Sequence, residues 1–491
     1  MSEHLPVLII VVPLILAPIA ALTGRWKAAW VVAAAACWWA LYASIQLLRR
    51  VQTEGVISYH IGNWAPPIGI EYRIDMVSAF VALIVATIGA VSIPFARTSV
   101  AKEISEDRGA LFYTAFILSM TGLLGIAVTG DVFNVFVFLE ISSLSGYAMI
   151  ALGQDRRALT ASFQYLIMGS TGATFIVIGI GLMYVMTGTL NMADLAHRLP
   201  EVWDNRTIPV AFTFLTVGIT LKLALFPLHL WLPNAYTYAP SSVTAFMAST
   251  ATKVGVYLLL RFFFSIFGEA FSFGVMQLDR VLLPLSVVAI LAMSLVAIYQ
   301  DNVKRLLAFS SVAQIGYMVL GISFGSVLGL TAGIIHLFNH ALMKGALFMA
   351  MGCVMYRVGS VRIEKMAGLG KVMPWTMAAF VGGGLSLIGV PATVGFVSKW
   401  YLVQAALEQG SWFVAAVVLV GSLMALIYIW KVVEVAYFRS PDPDAEIREA
   451  PLSLLIPTWI LVAASFYFGL DASLTADVAT RAAETLIGGI Q

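Results

Sequence analysis

The chain has 491 residues, 60% of them hydrophobic and only 11% charged, well below the charge of about 25% typical of a soluble domain. That excludes an ordinary soluble globular protein and requires an integral membrane one. A formal net charge of +2 gives no electrostatic footing for nucleic acid, and two cysteines, each alone in an apolar stretch, exclude a disulfide framework.

Apolar windows of about 20 residues predict an all-α polytopic fold of about fourteen transmembrane helices. They begin near residues 5, 28, 75, 110, 132, 159, 207, 241, 281, 304, 327, 373, 412 and 452. The first, MSEHLPVLIIVVPLILAPIAAL, has neither a basic n-region nor a clear small-residue cleavage site, so it reads as a retained span. The largest loop, residues 49–73, carries two prolines and is expected to cap one face. With the N-terminus outside, the inner loops hold about twice as many Lys and Arg as the outer ones. Both termini are therefore predicted on the outer, periplasmic side of a bacterial inner membrane.

Six cations fall inside the spans: Lys222, Lys253, Arg261, Lys344, Lys399 and Lys431. Each costs about 2.5–3.5 kcal/mol on insertion scales, so such residues face a polar interior with a partner and a task. Lys222 follows the uncharged run TIPVAFTFLTVGITL, and no further charge occurs until Lys253. Pro227 and Pro233 are expected to interrupt the helix just past Lys222. A second break is expected at Pro391, in GGGLSLIGVPATVGFVSKW at 382–400, where Lys399 follows it. A proline leaves carbonyls unpaired, which a bilayer tolerates only beside polar neighbours or water. Broken helices beside buried charges are how many transporters build ion sites.

The two broken spans, the seventh and the twelfth, lie an odd number of spans apart and so run in opposite directions. This predicts inverted five-helix repeats, spans 4–8 against spans 9–13. The corresponding division is an N-terminal unit 1–109, repeats over 110–267 and 281–438, and a last span with its tail over 439–491.

Glu140 lies within span 5 and reads either as an interfacial glutamate or as the acidic partner of Lys222. Lys222 itself could snorkel, whereas Lys253 sits too near mid-bilayer for that. His336, His340 and Lys344 recur every four residues and stack on one helix face. Two histidines at that spacing can hold zinc, but no third ligand is in sight and the lysine would repel a cation. They fit a proton relay better, since imidazole accepts and donates near neutral pH. His229, in the break after Lys222, could orient the loop or pass protons. Lys431 and Glu434 are expected to form an i, i+3 salt bridge, and Asp75 to cap span 3. Glu140, Lys222, Lys253, His336, His340, Lys344 and Lys399 together suggest a continuous polar axis for protons. No metal site, haem motif or nucleotide-binding loop is present in the sequence, and no cofactor is expected.

At these residues the chain resembles the antiporter-like, proton-conducting subunits shared by Mrp-type multisubunit sodium/proton antiporters and respiratory complex I. The resemblance is carried by GDVFNVFVFLEISSLSGY at 130–147, LKLALFPLHLWLPNAY at 221–236, APSSVTAFMASTATKVGVYLLLR at 239–261, DNVKRLLAFSSVAQIGYM at 301–318 and HLFNHALMKGALF at 336–348. It implies the fourteen-helix fold with inverted repeats. It also implies that Glu140 and Lys222 are the family's ion pair, Lys253 its connecting lysine, His336 its central histidine, and Lys399 the basic residue of the second broken helix. Such proteins sit beside homologues in a larger hetero-oligomer, here with partners like the A, B, C, E, F and G members of the Mrp assembly, and with protons and sodium as the transported ions.

Lys399 departs from the glutamate usual in M-type subunits of complex I, leaving the N-type subunits and the D-type members of Mrp antiporters. The wording at 130–147 resembles the D type more. The expected function is a proton-translocating subunit of a multisubunit sodium/proton antiporter, not an enzyme by itself. The alternative is a pumping subunit of a complex I-type NADH–quinone oxidoreductase, whose redox centres would lie on other chains. A transferase using His336 and His340 as base would need an acidic partner and a substrate-sized loop, and a passive scaffold would tolerate loss of Lys222.

Overall fold

The computed structural model describes residues 3–441 and 446–488. Two helices open the chain, α1 (Leu5–Leu22) and α2 (Trp26–Glu54), and a short hairpin of β1 (Ile57–His60) and β2 (Glu71–Ile74) follows. Next come α3 (Met76–Glu103), α4 (Gly109–Val128), α5 (Val132–Ala151), α6 (Arg156–Thr187), α7 (Met192–Arg198), α8 (Thr207–Leu223), α9 (Trp231–Tyr238) and α10 (Ser241–Leu260). The remainder is α11 (Asp279–Ile298), α12 (Val303–Ser323), α13 (Val327–Val358), α14 (Leu369–Val372), α15 (Pro374–Ile388), α16 (Val394–Glu408), α17 (Trp412–Phe438), α18 (Leu452–Leu470) and α19 (Ser473–Ile487). Among the described residues 12 helices are long and apolar enough to cross a membrane. The shorter apolar helices α8 and α15 stand at the two remaining positions, each continuing after a break into α9 or α16. Helices therefore occupy all fourteen expected positions.

Side-chain caps fix where several spans begin. Asp75 accepts from Ser78 N at 2.9 Å, Asp131 from Asn134 N at 2.7 Å, and Asn302 from Arg305 N at 3.1 Å, each satisfying an amide that the first turn leaves unpaired. Two stretches of equal length, 131–188 and 302–359, use the same devices. Each starts at a capping Asp or Asn bridged to the strand-like segment after the second helix, Asp131 to Asn191 and Asn302 to Arg362. Each ends at a glycine in the left-handed region, Gly188 at φ 70° and Gly359 at φ 73°, where a side chain would be strained.

The centre of the molecule is α10, α12 and α13. The apolar window of α12 is 100% buried and that of α10 is 94% buried, against 39% for α1, α6, α11 and α18, which form the periphery. Helix α13 packs against α3, α10, α12, α15, α16, α18 and α19, so its polar face can meet several elements at once.

The structure adds detail to some expectations and corrects those for Pro233 and Lys431. The 49–73 loop is partly a hairpin, tied down where Glu71 Oε2 accepts from Asn191 Nδ2 at 2.9 Å and Gly130 N donates to Glu71 O at 2.8 Å. The tail after α18 folds as the amphipathic helix α19, with Val478, Ala479, Ala482 and Leu486 buried, and adds no span to the fourteen. Pro233 does not break a helix: it lies in the first turn of α9, where its missing N–H costs nothing. Lys304, at the edge of the span that begins there, is buried and donates to Ala239 O at 2.6 Å. Lys431 reaches Asp301 Oδ1 at 3.3 Å and the carbonyls of Ile298 and Gln300 rather than Glu434.

Candidate functional site, a buried polar axis

Helix α8 stops one residue after Lys222 because Ala224 turns left-handed, at φ 60°. The carbonyls this exposes are met inside the protein: Leu225 N donates to Thr220 O at 3.1 Å, and the Trp231 indole donates to Leu221 O at 3.0 Å. Trp231 is in turn held by a parallel stack on Tyr165, with ring centroids 4.0 Å apart. The break is thus a satisfied structure. Lys222 Nζ lies 3.6 Å from Glu140 Oε1 and donates to Ser143 Oγ at 3.0 Å. The lysine side chain is 7% exposed and the glutamate 26%, and the glutamate oxygen that faces the lysine is itself buried. Helices α6 and α8 approach closely beside this lysine: a Cβ on Gly218 would sit 2.7 Å from Gly172 O.

Helices α8 and α10 meet at Leu223 and Gly255, where a Cβ on the glycine would fall 2.8 Å from Leu223 Cβ. Lys253, two residues earlier on α10, is wholly buried. Its ammonium donates to Ala248 O and lies 3.4 Å from Thr252 Oγ1. A desolvated ammonium whose hydrogen-bond partners among the described residues are neutral oxygens is costly to keep, which makes Lys253 a candidate functional residue.

The polar face of α13 points at this lysine. His336, His340 and Lys344 are fully buried, and all three lie within electrostatic reach of Lys253. His336 is fixed at both ring nitrogens, Nδ1 to Ser398 Oγ at 2.8 Å and Nε2 to Gln314 Oε1 at 3.0 Å. His340, its ring nearly parallel to that of His336 at 6.2 Å, has neither nitrogen paired among the described residues. A buried imidazole with neither nitrogen paired keeps both a donor and an acceptor open to its neighbours. Lys344 donates to Leu307 O at 2.9 Å and to Ser310 Oγ. Among the described residues no cluster of three His, Cys, Asp or Glu side chains surrounds these histidines, and the adjacent lysines make the place hostile to a metal ion.

The second break holds Lys399. Helix α15 ends at Gly389, at φ 89°, and Lys399 on α16 folds back so that its ammonium donates to Leu387 O and Ile388 O, both at 2.9 Å. It also lies 5.1 Å from the centroid of the Tyr317 ring. No carboxylate joins it among the described residues. Its counter-charge is the carbonyl end of α15, where the helix dipole is negative. Lys399 is within electrostatic reach of His336, which completes the line.

The structure therefore brings Glu140 to Lys222, and Lys253 to His336, His340 and Lys344, and sets Lys399 beside His336. His229 stands apart: it is buried in the break and stacks on Phe226 at 5.5 Å, with Nδ1 unpaired among the described residues. Sequence reasoning missed the neutral partners Ser143, Ser310, Gln314 and Ser398, which carry no distinguishing signal in a membrane chain. It also missed that Asp75, besides capping α3, pairs with Arg261 on a turn of π-helix that continues α10. Arg261 further donates to Tyr257 Oη at 2.9 Å and Ser78 Oγ at 2.8 Å, and Tyr257 donates to Ala127 O at 2.8 Å. That cluster ties α3, α4 and α10 together. A buried arginine and an aspartate at a span's head were both visible; their pairing was not.

The sequence pattern of the family described as NADH:quinone oxidoreductase/Mrp antiporter, TM, matches residues 129–425, which hold every residue of the axis. The chain is 41% identical over 477 residues to the N-type subunit of the NADH-quinone oxidoreductase of Desulforudis audaxviator, covering 94% of each chain. It is 31% identical over 433 residues to the D-type subunit of the Na(+)/H(+) antiporter of Alkalihalophilus pseudofirmus, covering 88% of this chain and 86% of that one. Its fold matches a chain of the Mrp complex from a Dietzia species with a TM-score of 0.90 at 27% identity, over 99% of this chain and 97% of the other. With the breaks, the buried lysines and the histidine face all inside the matched segment, the chain belongs to the transmembrane NADH:quinone oxidoreductase/Mrp antiporter family.

Proposed function

We propose that this chain is the D-type, proton-translocating subunit of a multisubunit sodium/proton antiporter in a bacterial inner membrane, with both termini on the outer side. The observation that carries the reading is the line of ionisable groups, all but Glu140 buried, from Glu140 and Lys222 through Lys253, Lys344, His340 and His336 to Lys399, passing two broken helices. A proton arriving at the partly exposed Glu140 neutralises it and loosens its hold on Lys222. A pair about 4 Å apart at an effective dielectric constant of about 20 is worth roughly 4 kcal/mol, enough to redistribute protons on neighbouring sites. The change passes from Lys222 across the α8–α10 contact to Lys253, then to the open nitrogens of His340 and to His336. Lys399 releases the proton towards the opposite side.

The equal-length stretches 131–188 and 302–359 support reading 110–267 and 281–438 as inverted repeats. Glu140 and Ser311 then occupy equivalent positions, and the second repeat has no acid there; Lys399 relies on a helix end instead. His229 is an accessory of the break and not a carrier.

The 41% identity to an N-type oxidoreductase subunit favours a second reading, in which the same axis is driven by a redox module on other chains. Co-purification in mild detergent followed by mass spectrometry separates the two. Small hydrophobic subunits and a larger homologue, without flavin or iron–sulfur proteins, are expected. Stoichiometric redox subunits would replace the antiporter with the oxidoreductase and leave the axis in place.

A further inference from the structure

A groove of about 490 Å³ opens on the outer wall of the bundle between α6, α9 and α12, away from the polar axis. Its size is that of a small-ligand site. Its mouth faces the apolar periphery: Phe163 is 61% exposed, Ile167 50% and Leu230 70%. One charged residue lines it, Arg305, in the first turn of α12. The Arg305 guanidinium lies 5.8 Å from the centroid of the Phe309 ring, and its Nε is buried with no acceptor among the described residues. A buried donor of this kind calls for an acceptor that the protein does not supply.

Helices α6 and α12 are an even number of spans apart and begin on the same side of the membrane. That end also holds Arg156 at the start of α6, so the cationic rim lies at headgroup level and the apolar floor runs inward from it. The Asn234 amide donates to Gln164 Oε1 at 2.8 Å across the groove, closing its polar side chains on each other and leaving Arg305 as the anchor. The chemistry required of the occupant is an anionic headgroup followed by an aliphatic chain.

We propose that this groove binds an anionic phospholipid, its phosphate on Arg305 and one acyl chain along Phe163, Ile167 and Leu230. The back wall is Trp231, the indole that holds Leu221 O beside Lys222, so the bound chain braces the first broken helix from the membrane side.

The test is native mass spectrometry of the complex extracted from its membrane, delipidated and titrated with phosphatidylglycerol or with phosphatidylcholine of the same chains. Wild type is expected to retain phosphatidylglycerol preferentially. Arg305→Gln should lower that preference about fivefold, the worth of one cation against an anionic lipid. Ile167→Trp, which fills the groove and keeps the cation, should remove one bound lipid of either kind. Equal uptake of the two lipids by wild type, or unchanged binding in both variants, would overturn the proposal. So would a photo-crosslink from position 167 to a neighbouring protein in place of lipid. None of these outcomes depends on which ions the complex carries.

Discussion

Replacing Lys222 by alanine is expected to lower proton flux through the assembled complex by roughly 10²-fold or more, the usual cost of losing a positioned proton-transfer group. The assembly itself should survive. Lys222→Arg sharpens the experiment. Arginine keeps the positive charge opposite Glu140 but does not give up a proton in proteins. If Lys222 only sets a local field, Lys222→Arg should transport nearly as well as wild type. If it takes part in proton transfer, as proposed, Lys222→Arg should assemble and remain slow. The measurement is sodium-driven pH change in inverted membrane vesicles, normalised to the amount of complex. A passive scaffold role predicts wild-type flux in both variants.

The second large effect concerns stability. Asp75→Ala is expected to destabilise the protein by about 3–5 kcal/mol, because it removes one partner of a buried ion pair and leaves Arg261 uncompensated. The loss includes the α3 cap, since Asp75 also accepts from Ser78 N. Asp75→Ser keeps a capping oxygen and removes only the charge. Combining it with Arg261→Met removes both charges together, and the double variant should recover most of what Asp75→Ser alone loses. Thermal inactivation of the detergent-extracted protein reads all three. An Asp75→Ala variant within about 1 kcal/mol of wild type, the range of exposed pairs, would show that the cluster is not the tie between α3, α4 and α10.

How much of this was legible in the sequence follows from what each feature needs in order to be seen. Apolar windows are long and local, so all fourteen spans could be read, including the two shortened by breaks. Lys222, Lys253 and Lys399 stood out because cations are rare in such windows, and His336, His340 and Lys344 because they share a helical period. The partners could not be read. Ser143, Gln314 and Ser398 are ordinary neutral residues that acquire meaning only when α5, α12 and α16 are packed against the axis. Pro233 misled because a proline in a helix's first turn and one in its interior look the same in a string of letters. Lys304 sits at a span's edge, where a cation reads as interfacial, yet α12 is so central that Val303, Lys304 and Leu306 are buried already in its first turn. The Asp75–Arg261 pair joins residues far apart in the chain, and the bridges at Asp131 and Asn302 likewise depend on segments that meet only after folding.

The central claim is that protons pass along the buried axis, and Lys253 is where it can be tested with least ambiguity. This residue is wholly buried and lies between the Glu140–Lys222 pair and the histidine face of α13. Lys253→Met has similar length and volume and removes only the ammonium. The decisive measurement is sodium-driven proton movement in proteoliposomes holding the purified complex, wild type against Lys253→Met, with subunit content checked by mass spectrometry. The account predicts an intact complex whose proton movement falls to the leak of empty liposomes; an intact complex that moves protons at the wild-type rate would contradict it.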